Sequence, residues 1–490
     1  MREMEKRKMR PHGTPCGSGA PPCGAISGNG RPAGGPTAGP AGGPAARADD
    51  GQAARRFRPR GGPRRAWPLL ALAALLFLAS CGETGMIVSH GGRGTDEEPE
   101  QLVIWLWPGS GYESLIAQYN EEHEDVQVEV VRFDPQDLHA NLQTAFAAGY
   151  GAPDAVMIDM SYMERFKRFP SYFYNLRELS SEPLAGRYPD WIQAQAASPD
   201  GSFIYALPAA IGPVTMLFRV SLYAQAGLPL ERGELAESMP DWDAFLGSGV
   251  ELRIRTGKPM IDNIATLYRA ILGQSETQYF DPGTGAFIGD TNPAVLRAWN
   301  YAVSAKENGL SAGLQTGSTE WAVGMEQGHF ATLLAPAWML SYVTENSPGA
   351  IRQWNMTRLP GGAAILGGWF FAIPRESDRP ESAWKLIRWL TDEQRQLELF
   401  RETNIFPSLV KLYDNTEIAD KRDGFFMGAP VGQLLGEAAR SVRPAYAGPD
   451  QPLVEDIMDS ALQKVEKGLL SGDMAWKEAM RQIREALDDK

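Results

Sequence analysis

From residue 101 onward the chain alternates short apolar runs with longer amphipathic ones. Residues 102–107 (Leu-Val-Ile-Trp-Leu-Trp) are continuously apolar, which predicts a buried strand. Pro108-Gly109-Ser110-Gly111 ends it, and Leu115, Ile116 and Tyr119 then recur at helical spacing. Val126, Val128 and Val130 alternate with polar residues and predict a second strand; Leu138, Leu142 and Phe146 predict a second helix, stopped by Gly149 and Gly151. Residues 155–158 (Ala-Val-Met-Ile) predict a third strand. The order β-α-β-α-β implies a parallel sheet with right-handed crossovers, whose ligands bind beyond the carboxyl ends of the strands.

The pattern stays mixed further on. Residues 214–218 predict a strand and 221–226 a short helix ending at Gly227. Helices are expected from Asp241 and from Pro293, the second with Val295, Leu296, Trp299, Ala302 and Val303 apolar. Residues 330–334 predict a strand leading to Trp338. Gly367-Gly368 opens the apolar run 369–373, and Ala383, Leu386, Ile387 and Leu390 share one helical face. Two more helical stripes close the chain, one on Val454, Ile457, Met458, Ala461, Leu462 and Val465, the other on Trp476, Met480, Ile483 and Leu487. No internal repeat is present.

Charge divides the 490 residues unevenly. Residues 1–80 hold 13 Lys/Arg against 4 Asp/Glu, whereas residues 81–490 hold 34 against 56. A body this acidic repels phosphates, so non-specific nucleic-acid binding is not expected. The basic part precedes an apolar stretch over residues 66–80, behind Arg64-Arg65. That stretch is shorter than the roughly 20 residues of a membrane-spanning helix but suits a signal peptide. It ends Leu78-Ala79-Ser80-Cys81-Gly82, which resembles the lipobox of bacterial lipoproteins, so cleavage before Cys81 and lipidation of its thiol are expected. Cys16, Cys23 and Cys81 are the only cysteines, so the body has neither a disulfide framework nor a thiolate metal site. Residues 11–63, rich in Gly, Pro, Ala and Arg, cannot bury a core. Either translation starts downstream, near the two arginines, or the segment is a disordered extension lost with the leader. Residues 1–80 are thus read as leader and 81–100 as a flexible tether.

Several ordered blocks resemble the extracellular solute-binding proteins of ABC importers, in the sugar-binding branch that includes maltose-binding protein. They are Val103-Ile104-Trp105 with its following helix, Leu142 to Gly149 with Pro153-Asp154-Ala155-Val156, and Tyr205-Ala206-Leu207-Pro208 with Phe218-Arg219. Then follow Met325-Glu326-Gln327-Gly328 through Trp338, Gly367-Gly368 through Pro374, Ala383-Trp384, and Asn404-Ile405-Phe406-Pro407. No block is specific alone; their order and spacing carry the resemblance over residues 101–490. It implies an α/β fold of the periplasmic-binding-protein type II: two α/β lobes, a hinge and an interlobe ligand cleft. Lobe one would hold residues 101–211 and 370–412, lobe two 216–366 and 413–490. The chain would cross at Gly212-Pro213 and Gly367-Gly368, where glycine absorbs hinge rotation or simply makes a turn. The implied protein is a monomer at the outer face of the cell membrane that passes a carbohydrate to ABC importer transmembrane permease subunits, with no cofactor and no metal.

A sugar offers an apolar ring face and a rim of hydroxyls, so its cleft needs flat aromatics and fixed polar groups. The candidates are Trp107 and Ser110 after the first strand, and Asp159, Ser161 and Tyr162 after the third. Gly212, Trp338, Gly368 and Trp369 complete the set, Trp338 standing where the family places a stacking tryptophan. For each Trp the alternative is core packing; for Asp159 it is a helix N-cap. The turn Ala209-Ala210-Ile211-Gly212 lacks the polar or acidic residue that some sugar-binding relatives carry, so no particular sugar is indicated.

Two other readings stay open. A secreted glycoside hydrolase would need a carboxylate pair, which so acidic a chain offers by chance. However, no Gly-x-Ser-x-Gly elbow with a partnered His, no His-Glu-x-x-His and no P-loop occurs. A binder of a non-sugar solute, a polyamine or a phosphorylated polyol, would share the fold. An iron or zinc binder would want clustered His, Tyr or Cys, which the sequence lacks.

Overall fold

The computed structural model describes residues 98–184, 186–443 and 446–488. The leader, most of the tether and Cys81 lie outside the described residues.

The predicted β-α-β-α-β unit is present. β1 (Glu100–Leu106) pairs in parallel with β2 (Val126–Arg132) and with β3 (Ala155–Asp159). The connecting helices are Tyr112–Glu122 and Pro135–Ala148. The first buries Tyr112, Leu115, Ile116 and Tyr119; the second buries Leu138, Leu142, Ala145 and Phe146. Each set follows the 3.6-residue period, so one face of each helix covers the sheet. β3 lies between β1 and a later strand, which is why its first four residues are apolar without alternation.

The largest departure from the pattern is β4 (Ala206–Arg219), 14 residues long and buried throughout. The sequence predicts only its second half, because Pro208, Gly212 and Pro213 read as breaks. The strand survives them by shifting register against β7 (Ile365–Ala372) between Pro208 and Ala210 and again between Ile211 and Pro213. The residues skipped at these shifts are Ala209 and Gly212, each next to a proline, so the irregularities flank the positions that lack an N–H. The first half of β4 pairs with β7 and β8 (Phe406–Pro407), the second half with β5 (Thr332–Pro336) and β6 (Trp354–Thr357). The order is β2-β1-β3-β7-β4-β5, with β6 and β8 also on β4, so β4 and β7 join the two groups of strands.

Two hydrophobic clusters follow from this. One runs from the β1–β3 unit through β7 and β8 and includes Leu217. The other lies on the opposite face of β4, where Val214, Met216 and Phe218 meet the helices Trp242–Thr256, Ile264–Leu272 and Pro293–Glu307. The C-terminal helices Gln451–Glu466 and Gly472–Asp488 pack on this second cluster. The helices Thr416–Ala419 and Val431–Ser441 instead pack beside Glu393–Thr403, β8 and β4. Among the described C-terminal helices, the packing partners thus change after Ser441. The helices Ile264–Leu272, Thr319–Gln327 and Glu393–Thr403 were not anticipated from the pattern, although their buried faces are continuous.

Candidate functional site

A cleft of about 340 Å³ opens beyond the carboxyl end of β3. One wall is the end of that strand and the turn Met160–Tyr162; the opposite wall is built by the helices Ile264–Leu272 and Gln451–Glu466. Trp338 and the first residues of β7 complete it.

Asp159 sits at the rim. Its carboxylate accepts from the Ser161 backbone N–H at 2.9 Å and from Ser161 Oγ at 2.7 Å, which caps the turn Met160–Tyr162. The N-cap alternative thus holds, and the residue lines the cleft as well. Burial pushes its carboxyl above the usual range, against the pull of the two Ser161 hydrogen bonds.

Behind Asp159 stands a residue the sequence did not mark. His139 is fully buried; its Nδ1 meets the Pro135 carbonyl oxygen at 2.5 Å, and its Nε2 accepts from the Asp159 backbone N–H at 3.0 Å. Since that amide can only donate, the proton belongs on Nδ1 and the ring is neutral. Burial pushes its pKa down to about 4, outweighing the Pro135 bond that raises it; Arg165 lowers it further. The ring stacks on Tyr162 with centroids 3.8 Å apart and lies 6.2 Å from Trp107. Trp107 meets Trp369 edge to face at 5.7 Å, and Trp369 is the β7 partner of Asp159. Both indoles are buried, so these aromatics form a layer beneath the rim rather than part of the cleft lining.

Of the remaining candidates, Ser161 and Trp338 line the cleft, while Ser110 is buried beside Glu113 and Tyr162 faces His139. Gly212 and Gly368 lie where β4 and β7 touch. A Cβ at Gly212 would overlap the Leu366 carbonyl oxygen, and one at Gly368 would lie 3.0 Å from the Ala210 carbonyl oxygen. Trp338 is 40% exposed, and its Nε1 donates to the Leu366 carbonyl oxygen at 3.0 Å, which fixes the indole at the mouth.

The opposite wall was missed. Tyr268 and Tyr279 share a hydroxyl hydrogen bond at 2.8 Å, and Arg269 pairs with Asp459. Gln451 Nε2 donates to Glu455 at 2.8 Å. Burial pushes the Glu455 carboxyl up to about 7, offset in part by the Gln451 bond and reinforced by the charge of Asp159. Across the mouth, Gln136 Nε2 donates to Asp456 at 3.2 Å and Arg165 Nε to the Pro449 carbonyl oxygen at 3.1 Å. The sequence shows the apolar stripe of the helix Gln451–Glu466, but nothing in it separates a polar face turned to a cleft from one turned to water.

None of the described helices is long and apolar enough to cross a membrane. The chain is 24% identical over 364 residues to the arabinooligosaccharide-binding protein of Halalkalibacterium halodurans, covering 69% of this chain and 78% of that one. It is 24% identical over 357 residues to the lactose-binding protein of Rhizobium radiobacter, covering 69% and 81%. A crystal structure of an extracellular solute-binding protein of family 1 superposes with a TM-score of 0.72 at 29% identity, covering 79% of this chain and all of that chain. The sequence model described as bacterial extracellular solute-binding protein matches residues 114–425. A crossing pair of strands, a cleft beyond β3 and that match over most of the chain agree: this is a member of the bacterial extracellular solute-binding protein family.

Proposed function

We propose that the chain captures a carbohydrate in this cleft and delivers it, unaltered, to the permease subunits of an ABC importer. The observation that carries the reading is Trp338: a half-exposed indole, pinned by Leu366, beside the acceptor-rich rim at Asp159 and Ser161. An aromatic face and fixed acceptors are what a sugar ring and its hydroxyls need. The relatives that bind an arabinooligosaccharide and lactose support the same class. The carboxylates of the cleft disfavour a phosphorylated polyol.

A thermal-shift panel of neutral sugars and polyols tests it. A ligand at one hundred times its Kd should stabilise the fold by about 2.7 kcal/mol and raise the Tm. Trp338→Ala should weaken the best ligand about tenfold, a typical cost for losing one stacked aromatic, and should leave that sugar chemically intact on long incubation. A panel without any shift, or affinity unchanged in Trp338→Ala, overturns the reading at the level it addresses.

The same reading places the chain, as a monomer, at the outer face of the membrane, held through lipid on Cys81. The mass of the mature N-terminus should show Cys81 as the first residue with acyl chains attached. An unmodified Cys81, or cleavage elsewhere, speaks against the anchor alone.

A further inference from the structure

Four carboxylates line the cleft: Asp159 from the end of β3, and Glu455, Asp456 and Asp459 from the helix Gln451–Glu466. The guanidiniums near them are already engaged. Arg269 is paired with Asp459, and Arg165 donates from Nε to the Pro449 carbonyl oxygen and lies 3.9 Å from the Asp450 carboxylate. Carboxylates remain in excess with both arginines counted. Among the described residues no three acids are arranged to hold a metal ion, so the group is not a divalent-cation cage.

A second observation points into the same space. Gln451 is 2% exposed; its Nε2 donates to Glu455 at 2.8 Å and to Gln278 Oε1 at 3.4 Å. Its own Oε1 is buried and has no hydrogen-bond partner. A buried acceptor without a donor carries a cost that a ligand N–H or O–H would remove. The Glu455 carboxyl is likewise desolvated: burial raises it, and the nearby Arg269, paired with Asp459, offsets this only in part. This wall thus holds one unmet acceptor and more carboxylates than guanidiniums. An ammonium group has three donors and one positive charge, whereas a hydroxyl has one donor and none.

We propose that Glu455, Asp456 and the Gln451 amide oxygen read charge on the bound sugar, so that the cleft favours amino sugars over their neutral counterparts and rejects uronates and sugar phosphates. The proposal rests on the carbohydrate reading of the cleft and goes beyond it. Asp159 contributes from the facing wall to the same negative potential, which is strongest where water is excluded.

Isothermal titration near neutral pH and at low salt tests it with matched probes: glucose and glucosamine, galactose and galactosamine, cellobiose and the β-1,4 glucosamine dimer, with galacturonate as the anionic control. The amino member of any pair that binds should bind about tenfold or more tightly than the neutral member. Galacturonate should bind more weakly than galactose. Glu455→Gln should bring the amino-to-neutral ratio toward one. Asp456→Asn, at an exposed position on the same helix, should move it the same way and guards against a folding defect in the first variant. Equal affinity within the pairs, galacturonate bound as well as galactose, or a ratio unchanged in both variants overturns the charge reading and leaves carbohydrate capture standing. No heat from any probe, together with a flat thermal-shift panel, overturns both.

Discussion

Gly212→Ala should destabilise the fold by about 3 kcal/mol, at the upper end of what overpacking costs. The reason is local and stiff. A Cβ at this position would overlap the Leu366 carbonyl oxygen and come within 2.9 Å of the Gly367 carbonyl oxygen. Both obstacles are backbone, on a strand that pairs with β4 on one side and β3 on the other. No side chain can swing aside, so β4 and β7 must separate, and those two strands carry the chain between the two groups. Urea unfolding should show a lower midpoint with an unchanged slope, because the surface exposed on unfolding is the same. A midpoint within experimental error of wild type would mean that the bulge between Ile211 and Pro213 absorbs a methyl group, and the crossing would then be looser than its geometry implies.

The second large effect is a pH dependence carried by His139. Its pKa in the folded protein is about 4, below the 6.5 of the free side chain. The unfolded chain therefore takes up the proton first. The contribution to stability is complete above about pH 6.5, is lost as the pH falls, and levels off below about 4. That shift corresponds to about 3 kcal/mol. Other buried groups act in the opposite sense: Glu455 is raised to about 7 and Asp262 to about 6, and each favours the fold as the pH falls toward its unfolded value. The expectation is therefore placed on a difference. Wild type should lose about 3 kcal/mol relative to His139→Gln between pH 6.5 and pH 4. Glutamine does not titrate over this range and still offers an oxygen to the Asp159 N–H. Parallel stability profiles for the two proteins would show that His139 does not carry the dependence. Protonating Nε2 also removes the acceptor that holds the Asp159 backbone, so the rim should loosen over the same range.

The candidate site divides according to what a sequence pattern can encode. Trp107, Trp338 and Trp369 are alike as letters, each after a strand or a glycine pair. Two of them pack edge to face under the rim, and the third is pinned at the mouth by a carbonyl from β7. The difference lies in their neighbours, which come from distant parts of the chain. Asp159 was legible because it ends a strand whose apolar run is unmistakable, and the rule that ligands sit beyond such ends needs only the topology. His139 was not legible, since a histidine among Leu138, Leu142 and Phe146 looks like any other residue of a helix face.

By itself the sequence determined the parallel unit β1–β3 with its helices, the amphipathic C-terminal pair, the acidic character of the body and the family. Periodicity and composition are local, and burial of one face writes them directly into the chain. Only the tertiary structure decided that β4 runs unbroken through two prolines, that Gly212 has no room for a methyl group, and which polar face looks into the cleft. Glu455, Asp456 and Gln451 occupy the side of their helix that periodicity alone assigns to water. They face Asp159 because the facing wall comes from almost 300 residues earlier in the chain. Such a meeting leaves no period in either segment, because it depends on how two separately folded surfaces are brought together.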